Sequence, residues 1–204
     1  MTKIDLKKEY CQLYKCGTNK TLIVSVPELQ YLMCDGHGDP NNSELFQHAI
    51  EALYGLAYTI KFMVKKGPLQ IDYGVMPLEG IWWADDMNDF LHNDRDKWKW
   101  TLMILQPELV TPALVEEARK KLSLKKEVPM LQNVRLEKMN EGTCAQILHI
   151  GPYSAEGPTI EKLHNFIADE GYKLHGTHRE IYLSDMRRTT PEKLKTIIRQ
   201  PIKK

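Results

Sequence analysis

The sequence predicts an α+β protein of two pseudo-symmetric strand-helix-strand-strand modules, whose antiparallel sheets form a cleft. Three observations predict it. A long segment after Ser43 carries Phe46, Ala49, Ile50, Leu53, Ala57, Ile60 and Val64 at helical three- and four-residue spacing. Runs rich in β-branched and aromatic residues flank it, at about 21–38, 70–84 and 97–106. The order then repeats, and Pro27 to Gly36 spans the same nine positions as Gly142 to Gly151. Each half alone buries one sheet face, so pairing the halves leaves a groove suited to a ligand.

Taken in order, residues 1–20 read as an arm or short amphipathic helix. The first module covers 21–110. Its first extended run is broken at Val26-Pro27, because proline has no N–H to give a ladder, and stops at Gly36-His37-Gly38. Asp39-Pro40-Asn41-Asn42-Ser43 starts the helix, and Lys65-Lys66-Gly67-Pro68 ends it. A break at Pro77 interrupts the next run, which ends in Trp82-Trp83. The polar stretch with Asp85, Asp86, Asp89, Asp94 and Asp96 lacks calcium-loop spacing and reads as a solvated loop.

Thr111-Pro112 caps a linking helix over 111–123. The second module, 130–204, has extended runs at about 132–138 and 143–150, separated at Gly142. A helix follows from Pro158 to Gly171, then a strand at 178–184 and a last segment at about 194–202.

The charge balance, 28 basic against 27 acidic residues, supplies no broad basic face for phosphate backbones, so nucleic acid is not an expected partner. No apolar run has the length of a membrane span, and the first residues, MTKIDLKKEY, lack a signal-peptide core. A cytoplasmic location is expected, with no obligate protein partner. Cys11, Cys16, Cys34 and Cys144 read as structural thiols, and the seven histidines lack metal-ligand spacing. No metal or cofactor is implied.

All four tryptophans fall in two short stretches, Trp82-Trp83 and Trp98-x-Trp100. Strand alternation puts Trp98 and Trp100 on one face and splits Trp82 from Trp83. They read equally as core packing or as an aromatic wall for a flat ligand. Tyr58, four residues after Tyr54, is a further ligand-binding candidate beside the helix stripe. In HREIYLS, the residues His178, Glu180, Tyr182 and Ser184 share one face, and Arg179, Ile181 and Leu183 the other. The apolar pair is expected to pack on the helix, which turns Glu180 and Tyr182 toward the first half. A carboxylate among aromatics, with little water, is expected to have a raised pKa and to suit proton transfer. An exposed surface glutamate is the alternative. His149 and Tyr153 end the equivalent of the first strand. Tyr153 closes one end of the groove, and His149 either lines it or bonds a backbone carbonyl.

These residues carry a resemblance. Val26-Pro27-Glu28-Leu29 through Asp35-Gly36-His37-Gly38-Asp39-Pro40-Asn41 is similar to the start of the GyrI-like small-molecule-binding family. So are Pro77–Trp83, His149–Tyr153 and Glu180–Asp185, in the same order. The resemblance implies tandem strand-helix-strand-strand modules around a cleft. Some members are drug-sensing domains of transcription activators, in which a glutamate meets cationic aromatic drugs. Stand-alone members hydrolyse cyclopropanoid alkylators by adding water. By that resemblance Glu180, with Tyr182 as partner, is the catalytic candidate. The short segment ahead of the first module has no room for a helix-turn-helix, which points to the stand-alone branch.

Overall fold

The computed structural model describes residues 2–18, 20–86 and 95–204. Of the acidic loop, Asp89 and Asp94 lie outside the described residues. The strands are β1 (Thr2–Ile4), β2 (Leu22–His37), β3 (Ile71–Tyr73), β4 (Leu78–Trp83), β5 (Lys99–Gln106), β6 (Arg135–Ile150), β7 (Lys173–Leu174), β8 (His178–Tyr182) and β9 (Lys195–Lys203). The helices are α1 (Leu6–Glu9), α2 (Cys11–Tyr14), α3 (Glu44–Lys66), α4 (Pro112–Ser123) and α5 (Gly157–Asp169). The α+β class holds.

Two breaks expected from the sequence do not occur. β2 runs through Pro27, and β6 runs through Gly142 as one 16-residue strand. Gly142 takes φ +68°, a conformation open to glycine, so the strand bends there without ending. The N-terminal β1 was not expected: three residues are too few to show a period.

The chain forms two compact units. The first comprises Met1–Glu9, Leu29–Met76 and Trp82–Met139; the second comprises Tyr10–Glu28, Pro77–Ile81 and Asn140–Lys204.

In the first unit, β2 pairs antiparallel with β5 from Gln30↔Gln106 to His37↔Lys99, and β1 pairs parallel with β3. α3 begins because the Ser43 side chain accepts a hydrogen bond from the Phe46 N–H, 3.2 Å. Its apolar stripe, Ala49, Ala52, Leu53, Leu56, Ala57, Ile60 and Val64, is buried. It packs on β5, β3 and α4. Gly36 lies directly across the ladder from Trp100, and the indole fills the space a side chain would need there.

In the second unit, β9 pairs antiparallel with β6, β8 and β7. One sheet face carries Ala145, Ile147, Ile198 and Ile202, which pack with Leu163 and Ile167 of α5. Ile160, Phe166 and Tyr172 close the rim of this core.

Candidate functional site

β8 has two faces because its side chains alternate. Arg179 and Ile181 are fully buried, while His178, Glu180 and Tyr182 are partly exposed. Register decides which face is which. Glu180 pairs with Ile198, and Tyr182 with Thr196. Directly paired residues point to the same side of a sheet, and Ile198 packs against α5. Glu180 and Tyr182 therefore face the α5 side. The expectation that the apolar pair, Ile181 and Leu183, packs on the helix is corrected for Ile181, which pairs with Ile197 on the other face.

The reason lies on the opposite face, where Arg179 finds buried acids. Its Nη1 lies 3.1 Å from Glu79 Oε2 and 2.9 Å from Glu141 Oε2. Arg199 adds a contact of 3.3 Å to Glu141 and donates to the Leu13 carbonyl at 2.7 Å. Tyr14 Oη donates to Glu79 at 2.5 Å. This network gives two buried guanidiniums two carboxylates, which explains how charges persist without water.

On the α5 side, Glu180 collects donors. Tyr182 Oη donates to its Oε2 at 2.8 Å, and His178 Nε2 lies 3.3 Å from its Oε1. The Tyr182 ring meets Tyr153 edge-on, with centroids 5.5 Å apart. The Glu180 side chain keeps 15% of its surface exposed, enough for a small molecule to touch it.

A second carboxyl group joins them. Glu156 ends the turn Tyr153–Ala155 and immediately precedes α5, yet its side chain caps no helix N–H. It is 5% exposed. Burial, then the Glu180 charge and a hydrogen bond shared with Glu180, push its pKa up to about 9. Thr196 pulls weakly the other way, although its hydroxyl makes no hydrogen bond of ordinary geometry. Burial, with Glu156, Glu180 and Asp185, pushes the Tyr153 phenol up to about 12. His164 of α5 is pushed down by burial and by His178, and its Nε2 is buried with no partner. The sequence reading missed Glu156. Its signal was its place three residues after Tyr153, just ahead of Gly157-Pro158.

His149 is buried, and both ring nitrogens are engaged: Nδ1 with Thr159 Oγ1 at 2.9 Å, Nε2 with the Pro152 carbonyl at 3.2 Å. It fixes the turn that carries Tyr153.

The remaining candidates belong to the first unit. Trp100 is wholly buried and has no surface for a ligand to touch. Phe46 meets its ring edge-on at 5.1 Å and tilts against Trp82 at 5.9 Å. Trp98 meets Trp82 at 6.1 Å and lies under Arg95. Trp83 is partly exposed. Tyr58 is 47% exposed and stacks between Tyr54 and Phe62. It borders a groove of about 470 Å³ with Leu69, Leu114 and Lys121.

A cavity of about 570 Å³ lined by Thr21 and by Pro158, Glu161 and Phe166 of α5 includes none of the Glu180 cluster. We place the candidate site by its converging polar groups instead. Among the described residues no three His, Cys, Asp or Glu side chains are placed to hold a metal ion. No helix among them is long and apolar enough to cross a membrane.

The model for the GyrI-like small molecule binding domain matches residues 20–203. An uncharacterized conserved protein from Listeria innocua is 42% identical, with a TM-score of 0.90, over 98% of this chain and 100% of that one. A hydrolase from Listeria innocua is 40% identical, with a TM-score of 0.86, over 98% and 100% of the two chains. The EcmrR C-terminal domain, 14% identical, matches 91% of this chain and 98% of its own with a TM-score of 0.57, a likeness of fold alone. No curated protein sequence matches significantly.

Proposed function

Because the chain belongs to the family of GyrI-like small molecule binding domains, we propose that it binds a flat, apolar, electrophilic small molecule and hydrolyses it by adding water. The observation that carries the reading is the Glu180 carboxylate, partly exposed and held by Tyr182 and His178. The Listeria innocua hydrolase, alike over the full length, supports a hydrolytic reaction.

In this reading Glu180 takes a proton from water as the water oxygen bonds to carbon of a strained three-membered ring. The ring carbon–carbon bond breaks, and its electron pair passes to a conjugated carbonyl oxygen. That oxygen then takes a proton, so the product is the substrate plus one water. The Tyr153 hydroxyl, bordering the same cluster, suits the developing oxyanion. Trp82, Trp83, Trp98 and Tyr58 keep a ligand-stacking role as a separate proposal, read by tryptophan quenching on titration; Trp100, wholly buried, is a packing residue instead.

Incubation with a cyclopropane-bearing aromatic alkylator, followed by product mass, tests the reading. Gain of one water, abolished in Glu180→Gln while binding persists, is the expected result. Full turnover in Glu180→Gln removes the mechanism. The family's binding character supports a second reading, capture without chemistry. Tryptophan quenching with the ligand recovered intact is its signature.

A further inference from the structure

A groove of about 470 Å³ is lined by α3, the turn after it and α4, and small-molecule sites hold about 300–1,000 Å³. All of its lining belongs to the first unit. Tyr58 and Phe62 reach it from α3, four residues apart and so on one helix face, with ring centroids 6.5 Å apart. Each is 47% exposed, and Leu69 is 54% exposed. Apolar side chains exposed singly are ordinary, but three around one groove, two of them aromatic, mark a binding surface. Leu69 does not owe its exposure to fraying. The turn that carries it is fixed, because the Gly67 N–H donates to the Met63 carbonyl at 2.8 Å and the Gln70 N–H to the Gly67 carbonyl at 3.2 Å.

Charge gives the ligand its sign. The charged side chains of the groove are Lys66, Lys121 and Lys125 against Glu117. Lysines nearby have acids of their own: Lys61 and Lys65 meet Asp72 at 3.6 and 2.7 Å, and Lys126 meets Glu51 at 2.6 Å. Lys66, Lys121 and Lys125 form no ion pair among the described residues. Lys66 instead lies 5.7 Å from the centre of the Phe62 ring. A cation in the last turn suits the helix dipole, and Lys66 and Lys121 are so placed in α3 and α4. The dipole does not call for exposed rings beside them. A ligand that joins a flat ring to a negative charge uses both.

We propose that this groove binds a flat aromatic acid, with its ring against Tyr58 and Phe62 and its anionic group among Lys66, Lys121 and Lys125. The site goes beyond the hydrolytic reading and does not depend on Glu180. It gives Tyr58 a ligand of stated chemistry, and the same lysines repel an aromatic cation.

Calorimetric titration of the full chain with naphthoate, and with naphthylmethylammonium as the cation on the same ring system, tests the site. Naphthoate is expected to saturate at one per chain and to bind at least about tenfold tighter than the cation. Lys121→Glu combined with Lys125→Glu is expected to weaken naphthoate at least about tenfold, and Phe62→Ala about fivefold. These three side chains are exposed, so the variants are expected to keep the parent's thermal midpoint. Lys126→Gln, which removes the partner of Glu51 outside the groove, is expected to leave naphthoate affinity within about twofold. Methyl spectra of leucine-labelled protein locate the ligand: Leu69 and Leu114 are expected to shift by ring current, and Leu163, buried in the second unit, to stay. Equal affinities for anion and cation, affinity unmoved by the lysine reversals, or shifts at Leu163 without shifts at Leu69 and Leu114 overturn the proposal. So does a dimer that Phe62→Ala dissociates and that takes up no naphthoate, which gives the groove to a second copy of the chain.

Discussion

Glu180 stands directly across the β8–β9 ladder from Ile198 and so shares the sheet face that α5 covers. One position away, Arg179 points to the other face, where it is fully buried against Glu79 and the nearly buried Glu141 side chain. A five-residue strand thus carries the candidate carboxylate on one side and its anchor on the other.

The tyrosine beside the carboxylate has a measurable part. Tyr182→Phe removes a 2.8 Å hydrogen bond to Glu180 but keeps the ring against Tyr153. A hydrogen bond to a charged group contributes about 1.5–3 kcal/mol, so kcat/KM is expected to fall at least about tenfold. The thermal midpoint is expected to move little. Unchanged kcat/KM removes Tyr182 from the mechanism.

Breaking the anchor costs stability. Arg179→Met leaves Glu79 and Glu141 buried with one guanidinium fewer. Removing one partner of a buried pair costs about 3–5 kcal/mol. Urea unfolding is expected to show a large drop in midpoint with an unchanged slope. A midpoint within error of the parent contradicts the network.

Gly36 and Trp100 are matched by size. A methyl group at residue 36 overlaps the indole. Gly36→Ala is expected to cost about 1–3 kcal/mol by overpacking and to shift tryptophan emission to the red as the ring is displaced. Unaltered emission together with full stability contradicts the packing.

Glu156 makes stability depend on pH. Its folded-state pKa, about 9, lies above the ordinary 4.5. The native state therefore binds the proton more tightly than the unfolded chain does. The associated stabilisation is complete below 4.5 and drains away as pH rises toward 9. Glu156→Gln has no proton to lose, so its urea midpoint is expected to decline less than the parent's between about pH 6 and about pH 9. Parallel declines refute this.

Thiol chemistry reads the burial directly. Cys11 is exposed, while Cys16, Cys34 and Cys144 are buried. Burial pushes Cys34 up to about 11 and Cys144 up to about 12, so neither forms thiolate readily. One thiol of the four is expected to react rapidly with a disulfide reagent in the native state, and Cys11→Ser is expected to abolish that phase.

Much was legible in the chain itself. The stripe from Phe46 to Val64 announced α3, Thr111-Pro112 announced α4, and period-two alternation put Glu180 and Tyr182 on one face. Each follows from neighbours in sequence, because helix and strand periods are local geometry. Tertiary structure decided the rest. Alternation says which residues share a face, and only the pairing of β8 with β9 says that α5 covers it. Pro27 and Gly142 are breakers by themselves, yet both are carried inside long strands. Glu156 carries no signal in the sequence beyond its place just ahead of Gly157-Pro158. Its proton affinity comes from burial and from Glu180, an element away in sequence and adjacent only after folding, because desolvation and charge act through space rather than along the chain.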